Sequence, residues 1–320
     1  LALFLFGMDV LTHALKSAAG DYIKDVLARM TSNRFLGVAT GALVTAVIQS
    51  SSVTTVIMVG FISAGLMTMA QSVAVIIGAN IGTTITAQIL AFNVTKLSLP
   101  LIAGGFLVSF TAKGEHLRQS GSIVLGLGLV FFGMALMSDA LYPLRSYPPF
   151  IDFMVSMTNP LLGAAVGAGF TAIVQSSSAT TGILIVMASQ GLIGLETAIA
   201  IALGANVGTC VTASLASIGK PREAKRAAIV HTLFNVAGVM LWIGLIPQLA
   251  AFAAWISPAA EELSGMERLA ADTPRQIANV HTFFNVANAL LFVGFTTQIA
   301  RFVNWLLPDI PETPQKAMLP

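Results

Sequence analysis

Charge is what this sequence has least of. Only 9% of its 320 residues are charged, while 56% are hydrophobic; soluble domains carry roughly 25% charged residues. Sixteen basic and 14 acidic side chains cannot cover a soluble surface of this size. With a mean hydropathy of +0.84, that excludes an ordinary soluble enzyme, a disordered chain and a nucleic-acid binder. A net charge of +2 is too small to attract a polyanion. The single cysteine, Cys210, excludes an intramolecular disulfide and a cysteine-based zinc site. There is no His-Glu-x-x-His, no paired carboxylate and no Cys/His arrangement. An activated nucleophile needs such a partner, so no enzyme and no organic cofactor is expected. Leu1 already lies inside an apolar run, and the chain is expected to be trimmed at both ends. What remains is an all-α polytopic membrane protein in the lipid bilayer.

What is present is a repeat at one offset. Gly41 to Thr55, with Gln49-Ser50-Ser51-Ser52 at its centre, recurs 126 residues later as Gly167 to Thr181, with Gln175-Ser176-Ser177-Ser178. Gly78-Ala-Asn-Ile-Gly-Thr recurs at Gly204. Residues 41–91 match 167–217 at 22 of 51 positions without a gap. Phe6-Gly7-Met8 pairs with Phe132-Gly133-Met134, and Asn33 with Asn159. Polar residues match as well as apolar ones, so chance similarity of greasy sequence is not the explanation. The expected organisation is transmembrane repeat 1 over 1–122 and repeat 2 over 123–247. An additional C-terminal transmembrane segment over 248–307 and a cytoplasmic linker over 308–320 follow.

Length decides what 35–65 can be. A spanning helix needs about 20 apolar residues. Phe35–Ile48 supplies 14, and Val53–Met67 supplies 15. A re-entrant hairpin with its polar tip at mid-membrane fits better, the serines capping the second half-helix. Non-helical backbone at that depth needs protein or a water-filled cavity beside it. Residues 70–92 read as a second interrupted segment, broken at Gly78-Ala-Asn80-Ile-Gly82, and 97–112 as a crossing. Three crossings per copy make the copies inverted. The basic residues then divide 12 to 4, Lys16, Arg34, Arg222, Arg226 and Arg301 lying on the richer side and Lys96, Arg145, Arg268 and Arg275 on the other. The richer side is cytoplasmic by the positive-inside rule. The expected fold is two inverted-topology repeats with re-entrant helical hairpins and broken transmembrane helices. The expected location is the cell inner (plasma) membrane, multi-pass, with the C-terminus cytoplasmic.

Interrupted apolar segments at matching places in two inverted halves point to a transport site. The tips carry Gln49 to Ser52 and Gln175 to Ser178, followed by Thr54, Thr55, Thr180 and Thr181. Asn80, Thr83, Asn206 and Thr209 sit at the second interruptions. Hydroxyls donate one hydrogen bond and accept two, and helix N-termini suit an oxyanion. Amide, hydroxyl and freed carbonyl oxygens suit a hard monovalent cation. No Lys or Arg lies at the tips, so cations must supply the positive charge. That is a coupled cation–anion symporter. A membrane-embedded enzyme is the contrasting class.

These residues resemble the type II sodium–phosphate cotransporters, in particular the bacterial branch. The paired Gln-Ser-Ser-Ser motifs, Gly-Ala-Asn-Ile/Val-Gly-Thr and His231-Thr-Leu-Phe-Asn235 carry the resemblance over about residues 1–300. It implies sodium-driven symport of inorganic phosphate into the cell. Phosphate contact is implied at Gln49, Ser50, Ser51 and Ser52 and at Gln175, Ser176, Ser177 and Ser178. Na+ is implied on Gln49, Ser51, Thr54, Thr55, Asn80, Thr83, Gln175, Ser177, Thr180, Thr181, Asn206 and Thr209. Bacterial members often carry a cytoplasmic PhoU-like domain, for which 308–320 would be the connection, and transporters in general suggest a homodimer. Electrogenic animal members have an acidic residue after one motif His; here Thr232 and Thr282 stand there, so the extra sodium is not expected. A symporter of another oxyanion (sulfate or a dicarboxylate) and a phosphate sensor remain rival readings.

His231 and Asn235, like His281 and Asn285, are four apart and share a helix face. They would support the motif loops or simply bond neighbouring helices. Asp9 and His13 are one turn apart in the first segment, and an intramembrane carboxylate is a functional candidate. Glu196 reads as a helix-start residue, Cys210 as packing, and 18–31 as an interfacial amphipathic helix.

Overall fold

The computed structural model describes residues 1–20, 26–27, 33–64, 66–92 and 95–308. Of the amphipathic stretch 18–31 only 18–20 and 26–27 are described, 18–19 as the end of the first helix, and of the linker 308–320 only Pro308; the rest of both lies outside the described residues. Every described regular element is a helix. In chain order they are α1 (Ala2–Ala19), α2 (Arg34–Ile48), α3 (Ser51–Ser63), α4 (Met69–Leu90), α5 (Ser98–Thr111), α6 (Glu115–Leu141) and α7 (Pro148–Ser156). The second half continues with α8 (Pro160–Val174), α9 (Ser177–Ser189), α10 (Leu195–Ala216), α11 (Arg222–Trp242), α12 (Ile246–Ile256), α13 (Gly265–Val293) and α14 (Thr296–Leu306). Among the described residues five helices are long and apolar enough to cross a membrane, or six with α13–α14 counted as one span bent by 79°.

The hairpins are present in both copies. At 1.5 Å per residue, the 15 residues of α2 extend about 22 Å, short of a hydrocarbon core of ~30 Å. Asn33 caps α2 by accepting from Leu36 N at 2.9 Å, and Asn159 caps α8 from Leu161 N at 3.0 Å. Helix packing proves the return. A Cβ on Gly78 of α4 would strike Val38 O, and one on Gly82 would strike Ala42 O. Both numbers rise together, so α2 and α4 run parallel. The chain can achieve that only if α3 brings it back to its starting side. Gly204 against Ala164 O and Gly208 against Ala168 O repeat this in α8–α10.

The same contacts correct one expectation. Gly78 to Gly82 is not an interruption: α4 is helical throughout Met69–Leu90, as is α10 throughout Leu195–Ala216. The small residues there let two helix backbones touch, the small-xxx-small device of membrane helices. No carbonyls are freed at Asn80 or Asn206. The interrupted segments are the two hairpin tips and the α13–α14 bend. Segment 97–112 also differs, since α5 is 14 residues long, about 21 Å, and lies along the first half of α6, where Gly121 meets Ser109 and Gly128 meets Ile102.

The halves are inverted. A Cβ on Gly133 would lie 2.6 Å from Phe4 N, and one on Gly7 would lie 2.6 Å from Val130 N. Subtracting the 126-residue offset turns Gly133 into the counterpart of Gly7 and Val130 into that of Phe4. Residue i of one copy therefore meets j of the other while j meets i, the reciprocity of a two-fold axis. Two charge clusters mark the ends. Arg34 donates to Gly294 O at 3.1 Å, and Arg226 donates twice to Leu307 O, at 2.9 and 2.7 Å. The starts of α2 and α11 thus share a face with α14. At the opposite face Arg275 donates to Gln88 Oε1 at 3.0 Å and stacks over Phe92 at 4.0 Å.

Candidate functional site

Each hairpin turns on a glutamine. Gln49 and Gln175 have φ of 59° and 57°, the only non-glycine residues with positive φ among those described. Glycine is the usual occupant of this left-handed conformation at a helix end; here both turns place a long polar side chain at it instead. The next residue starts the return helix. Ser50 Oγ accepts from Val53 N at 3.3 Å, and Ser176 Oγ from Ala179 N at 3.1 Å. These are the expected caps, and each keeps its hydroxyl proton free to donate elsewhere. Behind the tips a buried bond ties each hairpin's arms together: Thr45 Oγ1 to Thr54 Oγ1 at 2.8 Å, and Thr171 Oγ1 to Thr180 Oγ1 at 2.7 Å.

The two tips meet. Gln49, Ser50, Ser51, Ser52 and Thr83 of one half and Gln175, Ser176, Ser177, Ser178 and Thr209 of the other line one cavity of about 200 Å³. That is many times the ~10–15 Å³ that one water needs. None of the ten is ionisable. The first turns of α3 and α9 open onto it, and the earliest N–H groups of a helix have no intrahelical acceptor. The cavity thus offers donors for an anion and neutral oxygens for small cations. Three larger hollows exist among the described residues, of about 360 Å³ around Arg145, 470 Å³ beside Phe234 and 330 Å³ between Arg34 and Thr296. None of their walls contains a residue of the Gln-Ser-Ser-Ser motifs, although Leu233 and Phe234 of the first histidine motif line the one beside Phe234.

The remaining candidates stand one layer back. Thr55 donates to Ser51 O at 2.8 Å and Thr181 to Ser177 O at 2.9 Å, while Thr54 and Thr180 are held in the arm-to-arm bonds. Asn80 donates to Asn235 Oδ1 at 3.3 Å, and Asn206 Oδ1 meets His281 Nε2 at 3.3 Å. Asn235 and Asn285 donate to the carbonyls of His231 and His281 at 3.0 and 2.8 Å. The two histidine motifs therefore serve opposite halves. Asp9 does not join them: its side chain is 68% exposed and 3.9 Å from His13. Glu196 lies in the first turn of α10, and Cys210 is buried against the carbonyls of Asn206 and His231.

Two features were not anticipated. Thr86 donates to Gln49 Oε1 across α2 and α4; its match to Thr212 at the repeat offset is the signal that could have flagged it. A second repeat, of 50 residues, relates α11–α12 to α13–α14, with 14 identities over 228–256 against 278–306. It too packs reciprocally. Trp242 stands edge-on to Phe284, and its counterpart Phe292 edge-on to Phe234, both at 76°.

An inverted pair of re-entrant hairpins closing on a polar cavity defines an integral membrane protein of the transporter type. Sequence comparison narrows the class: the chain belongs to the Na+/Pi-cotransporter family, which it matches over residues 3–139 and 150–261. Protein YqeW of Bacillus subtilis is 34% identical over 80% of this chain and 83% of its own length. YjbB of Escherichia coli, provisionally named an inorganic phosphate export protein, is 29% identical over 78% of this chain, which spans 46% of it. The rat sodium-dependent phosphate transport protein 2A is 25% identical over 77% of this chain and 60% of its own length. No solved structure matches.

Proposed function

We propose that this chain is a secondary active transporter that carries inorganic phosphate into the cell together with sodium, by alternating access. The observation that carries the reading is the neutral cavity built equally from both inverted halves. A phosphate there meets hydroxyl donors from Ser50 to Ser52 and Ser176 to Ser178 and the N-terminal ends of α3 and α9. With no Lys or Arg lining the cavity, only accompanying cations neutralise the anion. In this reading the oxygens of Gln49, Gln175, Thr83 and Thr209, which line the same cavity, hold sodium. Asn80, Asn206, Thr54, Thr55, Thr180 and Thr181 support them from behind, as do His231, Asn235, His281 and Asn285. The face bearing Arg34, Arg222 and Arg226 is cytoplasmic in this reading, in the inner membrane, and the assembly is a homodimer.

The test is purified protein in liposomes, with external sodium replaced by potassium or choline. Phosphate entry should collapse; entry that persists unchanged removes the sodium coupling. Excess sulfate or a dicarboxylate should compete poorly, and strong competition would transfer the site to another oxyanion. The similarity to YjbB favours a second reading, export. Vesicles preloaded with phosphate separate the two: sodium-independent efflux that outpaces sodium-driven entry supports the exporter.

A further inference from the structure

The two halves are built alike but do not hold their glutamines alike. In the first, Thr86 Oγ1 donates to Gln49 Oε1 and Gln49 Nε2 donates to Ala46 O, so the motif side chain is folded back and half-buried. Its counterpart Gln175 is exposed, and the Thr212 hydroxyl is buried without a hydrogen-bond partner. A buried hydroxyl left unpaired is destabilising, and it lies where the same bond is made in the other copy. The asymmetry continues one layer out. Asn80 bonds Asn235 and leaves both ring nitrogens of His231 buried and unpartnered, whereas Asn206 bonds His281 and leaves Asn285 Oδ1 unpartnered. The packing differs too: Val53 is 37% exposed and its counterpart Ala179 1%.

We infer that Gln49–Thr86 and Gln175–Thr212 are two alternately made latches, with Thr86 and Thr212 as positioning residues for the motif glutamines. One latch is closed while the other is open, and the inverted repeat exchanges the two as the cavity changes face. The inference rests on the alternating-access reading above, but not on which ion moves. The orphaned Thr212 hydroxyl is the open latch; closing it satisfies that group and leaves Thr86 in the same position on the other side. Because the arrangements are related by the internal two-fold, the exchange costs little net hydrogen bonding, as a two-state carrier requires.

The experiment is bridging in liposomes, with Cys210→Thr removing the native thiol. Gln49→Cys with Thr86→Cys, and Gln175→Cys with Thr212→Cys, are treated with a short bifunctional thiol reagent and the bridged fractions read by mass spectrometry. The 49–86 pair should bridge at once and the 175–212 pair slowly. With all four cysteines present, each molecule should carry one bridge and never both. Adding Thr86→Val to the 175–212 pair should speed its bridging about fivefold, the shift expected for loss of one ordinary hydrogen bond, and Thr86→Ser should not. Molecules with both bridges, a 175–212 pair that never bridges, or a rate indifferent to Thr86 would overturn the inference. The glutamines can also be left intact. Thr86→Val and Thr212→Val should then shift the apparent phosphate affinity, measured at the face the alternate state opens, in opposite directions; shifts in the same direction overturn it. Bridging needs neither phosphate nor sodium, so it stands or falls apart from the transport assignment.

Discussion

Gly238 packs against Asn288, the residue that takes its own place fifty positions later in the chain. The contact lies where α11 and α13 cross, and it is asymmetric because only one side chain fits. A Cβ on Gly238 would sit 3.0 Å from Asn288 Cγ and closer still to its amide nitrogen, while Asn288 Oδ1 accepts from Trp242 Nε1 at 2.8 Å. Two asparagines would collide, and two glycines would strand the indole N–H. Gly238→Asn is therefore expected to destabilise by about 1–3 kcal/mol through overpacking. Exchanging the pair, Gly238→Asn with Asn288→Gly, should recover part of that loss. Thermal unfolding in detergent measures both, and a single variant as stable as the parent would refute the account.

The parallel seams inside each half make a sharper comparison. Gly78→Ala and Gly204→Ala each push a methyl group onto a backbone carbonyl, Val38 O and Ala164 O, which cannot swing aside as a flexible side chain could. Each is expected to cost about 1–3 kcal/mol and to loosen the hairpin that α4 or α10 supports. Gly104→Ala, with nothing within 4 Å of the added atom, is the control and should be neutral or slightly stabilising, since alanine favours helix over glycine. Equal melting temperatures for all three would mean that the seams are not close-packed.

Removing a donor from the cavity should weaken the anion rather than the fold. Ser51 and Ser177 are buried and line the space where both tips meet. A hydrogen bond to a charged group contributes about 1.5–3 kcal/mol. Ser51→Ala or Ser177→Ala should thus raise the phosphate concentration for half-maximal uptake at least about tenfold, with unfolding temperature nearly unchanged. Concentration-dependent uptake of labelled phosphate reads the first and a melting curve the second. If both variants transport normally, the anion sits elsewhere.

The outline of this arrangement was legible because polar residues repeat where a membrane protein has few to spare. Gln49 and Gln175, the serines after them, and Asn33 and Asn159 ahead of their helices all match at one offset. The glutamines prove to be the turn residues, Ser50, Ser176, Asn33 and Asn159 the caps, and the remaining serines the first turns of the return helices. The seam at Gly78 and Gly204 was misread because glycine is ambiguous in an apolar run. It breaks a helix when the chain needs positive φ, and it joins two helices when their backbones need to touch. Only the parallel neighbour α2 or α8 decides between them, and that neighbour is a tertiary fact. The pairing of His231 with one half and His281 with the other was hidden for a similar reason. The motifs are 50 residues apart while the halves repeat at 126, so the second two-fold emerges only when α11 and α13 are seen crossing.

The absence of charge around the cavity bears on the electrical character of the proposed sodium–phosphate transport. With no ionisable side chain among the ten lining residues, the protein adds nothing to the charge of its cargo, and the moving charge is that of the ions alone. Two sodium ions with one divalent phosphate sum to zero. Thr232 and Thr282 follow the motif histidines, so neither position adds a carboxylate to the proposed site. Transport is therefore expected to be insensitive to voltage. A third sodium would move one net charge, coupling the cycle to the potential by about 2.3 kcal/mol per 100 mV. Recording from a voltage-clamped membrane settles the matter: phosphate added in the presence of sodium should evoke no current, and an inward current that saturates with phosphate would require another cation ligand.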